Sequence, residues 1–338
     1  MKPPLSAFGR NYMKRIQTIL FSILTGLFIF AATADAANWT VTKSINSSDG
    51  ACDADCRLRE AVAAAISGDT VIFDSNLVGQ TFTLGGSEIV ITKRITIDGF
   101  LNNPNVVFLS GEMTSRIFFV TGSGGLDLRN MTLVQGNGVS DFASGTGGAI
   151  YAPFNTSVVI NRVAFRGNRA EDSGAIFLSG GRITNSSFTG NSATNCTVIR
   201  IQATTNYLSN VTVSGNFDYN GGTGGGAVCN PTNGGNLFIR NSTIVLNSAG
   251  SGGGISNSDG GTLNIGNTIV AQNTAVLGPD IYNLVSTIVS VDVEAGETYV
   301  VTVTSKRYTF AGQVVNVTDN VADLNLIADG GAQTGKVE

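Results

Sequence analysis

Six segments of the chain share one pattern, in which apolar and polar residues alternate and an asparagine closes the segment. They read LDLRNMTLVQGN, VVINRVAFRGN, RITNSSFTGN, YLSNVTVSGN, LFIRNSTIVLN and LNIGNTIVAQN, and they end at Asn137, Asn168, Asn191, Asn216, Asn247 and Asn273. Successive asparagines are 31, 23, 25, 31 and 26 residues apart, a spacing typical of stacked repeats. Alternation indicates strands with one buried face. The pattern therefore predicts a β-solenoid with one repeat per coil.

Two further features of the repeat predict how each coil is built. The residues three positions before the asparagines are expected to form one apolar column inside the solenoid: Val134, Phe165, Phe188, Val213, Ile244 and Val270. A second strand is expected after the turn, at GGAIY 147–151, SGAIF 173–177, GGAVC 225–229, GGGIS 252–256 and GPDIY 278–282. The six asparagines are expected to be structural, because Asn tolerates the left-handed conformation of a sharp turn and stacked amides can bond along the axis.

The regions around the repeats complete the predicted organisation. Short β-rich runs at 71–73, 81–84, 88–92, 94–98, 106–110 and 117–120 have the length and turn punctuation of further coils. Residues 57–66, RLREAVAAAI, are rich in helix formers and predict a helix that caps the first coil. We expect a signal peptide at 1–36, an N-terminal cap at 37–69, β-helix coils at 70–283 and an irregular, incomplete β-rich segment at 284–338.

The cap carries a recognisable motif. DGACDADCRLREAVAAA, followed by GDTVIF at 68–73, resembles the "CSLREA" motif of exported bacterial right-handed parallel β-helix proteins, with Arg57 in place of the usual serine. The repeats resemble those of the pectate-lyase-like and polymorphic outer-membrane-protein superfamily, over about residues 38–283. The resemblance implies an all-β, single-stranded, right-handed parallel β-helix. It implies no particular activity, because most members are uncharacterised surface or secreted proteins.

The ends and the charge of the chain predict its compartment. Lys14 and Arg15 precede an apolar run from Ile19 to Ala32 and small residues at 34–36, as in a secretory signal peptide. Its removal changes the net charge from −4 to −7, which disfavours binding to nucleic acid. No other segment is long and apolar enough to span a bilayer. We expect a secreted or cell-surface protein.

The four cysteines are compatible with export. Cys52 and Cys56 are expected to form a disulfide in the cap. For Cys196 and Cys229, which have different offsets in adjacent repeats, a bridge and two buried thiols remain open. The chain has no histidine, so a Ser-His-Asp triad and an ordinary zinc site lack essential groups, and no resident metal is expected.

Acidic residues in the turns after the asparagine column are the candidate site. Asp141, Glu171, Asp172 and Asp218 could present carboxylates together to calcium or a glycan, and the alternative is that they are solvated charges. Nearby cations that could pair with uronates or serve as a base are Arg162, Arg166, Arg169, Arg182 and Arg200.

Two functions follow from these observations. The first is a non-catalytic surface β-helix, without a cofactor, whose lateral face binds extracellular or cell-surface glycans or proteins. The second is a carbohydrate-active enzyme, either a calcium-dependent lyase or a glycoside hydrolase, that acts on acidic polysaccharide. The enzyme requires at least two carboxylates and one cation that converge in a groove.

Overall fold

The computed structural model describes residues 36–100, 107–138, 145–202, 204–221, 224–230, 235–258 and 260–284, and the backbone of 287–292, 298–301 and 313–316. All except Ala36 belong to the unit Ala37–Glu338. The expected signal peptide, apart from Ala36, lies outside the described residues.

The described chain consists of short strands with one α-helix. The elements, in chain order, are β1 (Asn38–Val41), α1 (Leu58–Ala64), β2 (Thr70–Phe73), a 3-10 turn (Ser75–Leu77), β3 (Thr81–Thr83), β4 (Ile89–Ile91), β5 (Arg94–Asp98), β6 (Phe108–Ser110), β7 (Phe118–Val120), β8 (Gly125–Val134), β9 (Ile150–Ala152), β10 (Ser157–Arg166), β11 (Ile176–Leu178), β12 (Gly181–Thr189), β13 (Ser192–Ala193), β14 (Ile199–Ile201), β15 (Thr205–Ser214), β16 (Phe217–Asp218), β17 (Val228–Asn230), β18 (Asn236–Arg240), β19 (Thr243–Val245), β20 (Ile255–Ser258), β21 (Thr262–Gly266), β22 (Ile269–Ala271), β23 (Ile281–Leu284), β24 (Thr287–Asp292), β25 (Thr298–Val301) and β26 (Gln313–Asn316). Every predicted run contributes a strand, and β1, β13, β14 and β16 are additions.

Strands from successive coils pair in parallel. Sheet A runs in the order β1-β2-β5-β8-β10-β12-β15-β18-β21-β24, and sheet B in the order β4-β7-β9-β11-β14-β17-β20-β23. A side branch of sheet A contains β3, β6, the second halves of the long strands, β19 and β22. Because neighbours in a sheet are separated by a whole coil of sequence, the chain winds as a solenoid. The predicted fold class, an all-β parallel β-helix with a short N-terminal helix, is confirmed.

The core consists of columns of apolar side chains that stack from coil to coil. One column in sheet A joins Ile97, Leu128, Ile160, Ile183, Leu208, Ile239 and Ile265 in register, and all are at most 1% exposed. The predicted column Phe165, Phe188, Val213, Ile244 and Val270 is also in register. Its first member differs from the prediction, because Leu133, rather than Val134, pairs with Phe165.

Five of the six repeat asparagines form a buried amide ladder along the axis. Asn168, Asn191, Asn216, Asn247 and Asn273 are at most 5% exposed. The Oδ1 of Asn191 accepts hydrogen bonds from the backbone N and the Nδ2 of Asn168, at 3.0 and 2.9 Å. Its Nδ2 donates to the Oδ1 of Asn216 and to the backbone O of Phe165. Each internal amide is therefore fully satisfied, as buried polar groups require.

Two details of this column differ from the sequence prediction. Gly136, whose N donates to Asn168 Oδ1, occupies the ladder position in the first repeat, while Asn137 pairs with Arg169, one residue further along. The left-handed conformation belongs to the residue before the asparagine, for example Gly190 at φ 65° and Leu246 at φ 57°. A different column of residues, at the bend of the long strands, adopts it as well: Asn130, Arg162, Asn185, Asn210, Asn241 and Asn267.

A second amide ladder, which the sequence analysis did not predict, lies at the ends of the sheet B strands. Asn230 Nδ2 donates to Asn257 Oδ1 at 2.8 Å, and Asn257 Nδ2 donates to Asn283 Oδ1 at 2.7 Å. Each of these asparagines follows directly after one of the predicted second strands.

Two carboxylates of the cap motif, those of Glu60 and Asp69, are held by hydrogen bonds from other residues of the cap. The Glu60 carboxylate, 3% exposed, accepts from the backbone N of Arg57 and of Asp49 and from the Arg57 guanidinium. Burial raises the pKa of Glu60, but these donors together outweigh it and lower the pKa to about 2. Asp69 accepts from the N of Ile66, the Trp39 indole and the N of Ala37, and these bonds lower its pKa. These side chains of the motif therefore stabilise the structure of the cap.

Both cysteine pairs are bonded. Cys52 and Cys56 form a disulfide with a Cα–Cα distance of 4.3 Å within the cap. Cys196 and Cys229 form one with a Cα–Cα distance of 5.9 Å, which joins two successive coils beside sheet B and resolves the pairing that the sequence left open.

The segment after residue 283 contains one strand that extends the solenoid and one antiparallel strand pair. β24 continues sheet A by pairing in parallel with β21, whereas β25 and β26 form an antiparallel pair. The remainder of the predicted C-terminal segment lies outside the described residues.

Candidate glycan-binding face

The acidic turn residues occupy different positions in their coils. Asp218 pairs in register with Ala193 in the coil before it. Asp218 lies two residues after its ladder asparagine, whereas Asp172 lies four residues after its own. Asp172 therefore occupies a later position in its coil, where it pairs with Thr146. Glu171 is exposed, and Asp141 lies outside the described residues. The predicted grouping of these carboxylates around calcium or a glycan therefore remains a prediction.

Asp172 already has a cationic partner. Its Oδ2 lies 2.7 Å from Arg200 Nη1, and its Oδ1 accepts from the Ser173 hydroxyl. Arg200 also lies over the Phe177 ring. Within the ranges that the structure describes, no group of three or more carboxylate, cysteine or histidine side chains is placed to hold a metal ion.

The outward face of sheet A carries a different cluster. Residues nine positions before each ladder asparagine point away from the core and pair in register: Val159, Arg182, Tyr207, Phe238 and Asn264. The residues two positions further along the same strands form a parallel outward column: Asn161, Thr184, Ser209, Arg240 and Gly266. Neither column contains a carboxylate in these five coils.

We call Arg182, Tyr207, Phe238 and Arg240 the sheet A ridge. The rings of Tyr207 and Phe238 stack with centroids 5.1 Å apart and an interplanar angle of 16°. The Arg182 guanidinium carbon lies 4.9 Å from the Tyr207 ring centroid, a cation–π distance. Tyr207 is 37% exposed and Arg182 is exposed, whereas Phe238 and Arg240 are half-buried, so the ridge offers solvent the phenolic hydroxyl and the Arg182 guanidinium, with Phe238 and Arg240 beside them.

Glycine sets the position of the second ridge arginine. A Cβ on Gly266 would lie 2.5 Å from Arg240 Nη1 and 2.9 Å from its Cζ, so the guanidinium lies against the Gly266 backbone of the next coil, in space that a side chain there would take. Arg240 Nη1 is buried and has no hydrogen-bond partner among the described residues, which leaves a donor unsatisfied beside Phe238.

Two other arginines of the described coils, Arg129 and Arg116, have structural partners. Arg129 pairs with Asp127 at 2.5 Å, a bond that raises its pKa. Arg116 is fully buried and contacts Glu88 at 2.7 Å, and burial lowers its pKa. It lies 5.0 Å from the Tyr151 ring, within the stack that Tyr151 forms with Phe119 and Phe177 on sheet B. That stack is mostly buried, unlike the ridge.

The sequence analysis included Arg182 among the nearby cations but missed Tyr207, Phe238 and Arg240. The repeat contained the necessary signal, since fixed offsets of nine and seven residues before the asparagine identify the outward positions. Aromatic residues at two consecutive outward positions distinguish them from solvated strand positions.

Two solved structures have a chain path similar to that of this protein. A pectate lyase, Pel9A, is similar over 77% of this chain and 79% of its own, with 15% identity and a TM-score of 0.44. A PL6 family alginate lyase, AlyGC, is similar over 77% of this chain and 40% of its own, with 13% identity and a TM-score of 0.37. No family model and no curated protein matches the chain. The protein is a parallel β-helix on the evidence of its own strand pairings.

The structure contributes one observation about membranes. None of the helices in the described ranges is long and apolar enough to cross a bilayer.

Proposed function

We propose that this protein is a non-catalytic, exported β-helix that binds glycans along the outward face of sheet A. The observation that carries the proposal is the sheet A ridge, where the stacked rings of Tyr207 and Phe238 lie beside two arginines, in five coils whose two outward columns contain no carboxylate. Tyrosine and arginine, together with tryptophan, are enriched among the residues that contribute most to binding in protein–protein interfaces, and the same side chains offer apolar rings and hydrogen-bond donors to a sugar. The regular coils align the ridge side chains along the solenoid axis, and an extended polysaccharide chain needs such a row of contacts.

Export supports the extracellular setting of this proposal. Two disulfides are present, and such bonds persist in oxidising compartments. The signal-peptide pattern at the N-terminus agrees with that setting. We therefore expect the ligand to be an extracellular or cell-surface glycan.

Binding to a panel of immobilised polysaccharides tests the proposal. Replacing both Tyr207 and Phe238 by alanine is expected to weaken binding at least about tenfold, a loss of about 1.4 kcal/mol. Phe217→Ala is the matched control, because Phe217 is an exposed aromatic, 45% accessible, outside sheet A. Equal binding by the double variant and the control would refute the ridge as the site.

The same samples separate binding from catalysis. Incubation with pectins, alginates and glycosaminoglycans, with and without calcium, is followed by the absorbance of unsaturated uronates and by the release of reducing ends. We expect no product from any of these polymers. Products that accumulate in proportion to enzyme would establish the lyase or hydrolase function instead.

A further inference from the structure

The two ridge arginines have a defined spacing along the axis. Arg182 pairs with Tyr207, and Tyr207 pairs with Phe238 in the following coil. Arg240 lies two residues after Phe238 on the same strand. The arginines are therefore two coils apart, a separation of about 9 to 10 Å along the axis at the usual strand spacing.

The positions between the two arginines are uncharged. The intervening coil contributes Tyr207 and Ser209 to the outward face, and Phe238 lies beside Arg240. Neither Arg182 nor Arg240 has an ion-pair partner among the described residues, in contrast to Arg129 and Arg200. The ridge thus places two cations two coils apart with a neutral coil between them. Two coils beyond Arg182 the outward columns carry the Asp127–Arg129 pair, and two coils beyond Arg240 they carry Asp292.

We propose that this ridge recognises an acidic glycan in which charged and neutral sugars alternate. This inference rests on the proposed function and names its ligand class. An extended glycan advances by roughly one coil spacing per sugar, so every second sugar would meet an arginine. Each guanidinium can bind a carboxylate or sulfate through paired N–H donors.

The neutral sugar of each repeat occupies the uncharged part of the ridge. Its apolar face contacts the ring edges, and its hydroxyls can bond to Tyr207 and Ser209. A glycan with a charge on every sugar would instead place a carboxylate against the aromatic rings. That carboxylate would lose hydration without gaining a cationic partner, which is costly.

This inference makes the opposite prediction from simple charge attraction. A uniformly cationic surface binds the polymer of higher charge density more tightly. The ridge is expected to prefer the polymer of lower charge density, because its cations have the matching period.

The test compares three oligosaccharides of equal length by calorimetry at physiological salt: a hyaluronan octasaccharide, with alternating uronate and N-acetylglucosamine, an octagalacturonate and a neutral octaglucan. We expect the hyaluronan octasaccharide to bind at least about tenfold more tightly than the other two. Arg182→Gln and Arg240→Gln should each abolish most of this preference. Arg129→Gln, which removes an arginine already paired on the same sheet, is the control and should retain it.

The outcomes distinguish the inference from the proposed function. Equal or tighter binding of octagalacturonate overturns the inference, as does equal binding of the neutral octaglucan, while both leave glycan binding intact. If none of the probes or the wider polysaccharide panel binds, the proposed function itself fails. A preference for hyaluronan that survives both arginine substitutions also overturns the inference.

Discussion

Asp280 ends the buried amide ladder by taking the place of an asparagine. Its Oδ1 accepts hydrogen bonds from the backbone N and the Nδ2 of Asn273, at 3.0 and 2.9 Å. Within the ladder, the same two donors bond to the Oδ1 of the asparagine in the next coil. The Asp280 carboxylate, in the turn that follows Asn273, thus accepts the bonds that the asparagine of a further repeat would accept.

Removal of this carboxylate is expected to destabilise the C-terminal coils. Asp280→Ala leaves the backbone N of Asn273 without an acceptor, whereas Nδ2 retains the backbone O of Ile244 and of Ala271, so we expect a loss of about 1 to 3 kcal/mol for the one buried unsatisfied group. Asp280→Asn keeps an acceptor oxygen in place and should remain close to the wild type. Urea unfolding of both variants checks the prediction, and equal losses would contradict the proposed capping role.

The middle of the ladder should be more sensitive still. Asn191→Ala removes an amide whose four bonds reach two neighbouring coils, so we expect a loss of about 3 kcal/mol in the free energy of unfolding.

Asn185→Gly is the matched control for that variant. Asn185 lies in the same coil, is exposed and has φ 51°, a conformation that glycine adopts freely. Its amide donates to Asn161 and accepts from Asn210, but water can replace these exposed bonds, so the change should be at most about 1 kcal/mol. Similar losses for the two variants would show that burial of the amide does not decide its contribution.

The repeat pattern predicted the solenoid because alternation and spacing are properties of the backbone path. It misplaced Asn137 because the Gly-Asn pair there imitates the turn of later repeats. One extra residue before the pair moves Asn137 out of the ladder, and the register shows this directly. The ridge was missed for a different reason. The repeats were compared at their inward positions and turns, and not at the outward offsets at which Tyr207 and Phe238 recur; the strand pairing then shows that their rings stack.

Leu246 is a strained position in an otherwise regular turn. It has φ 57° and is 58% exposed, while Gly167, Gly190 and Gly215 adopt the left-handed conformation before the earlier ladder asparagines. An L-residue in the left-handed conformation costs about 1 to 2 kcal/mol. Replacement by glycine removes this strain, but part of the gain in stability is lost because glycine has more conformational entropy in the unfolded chain.

Leu246→Gly is therefore expected to stabilise the protein by about 0.5 kcal/mol. The reverse change in a neighbouring coil, Gly215→Leu, should destabilise it by a similar amount or more. Thermal unfolding of the two variants gives the signs, and a lower melting temperature for Leu246→Gly would contradict the strain argument.

The cap should contribute to acid sensitivity through Glu60. Its pKa is lowered to about 2 in the folded protein, whereas an unfolded chain has a glutamate pKa of about 4.3. Stability from this carboxylate is therefore fully present above about pH 5 and is lost as the pH falls through 4 towards 2.

Glu60→Gln tests this prediction. The difference in urea midpoint between wild type and variant should be largest near neutral pH and shrink over the same acidic range. Curves that remain parallel from pH 7 to pH 2 would show that Glu60 does not titrate with this shift.

The two disulfides should differ in their contribution because they close loops of different length. Cys196 and Cys229 are 33 residues apart, and Cys52 and Cys56 are 4 apart. Chain entropy then predicts about 4 kcal/mol for the first bond and about 2 kcal/mol for the second. Paired alanine substitutions at each bond, compared by urea unfolding, measure the two contributions. A larger loss from the Cys52 and Cys56 pair would mean that the cap depends on that bond for its native geometry, since the entropy of so short a loop cannot supply the difference.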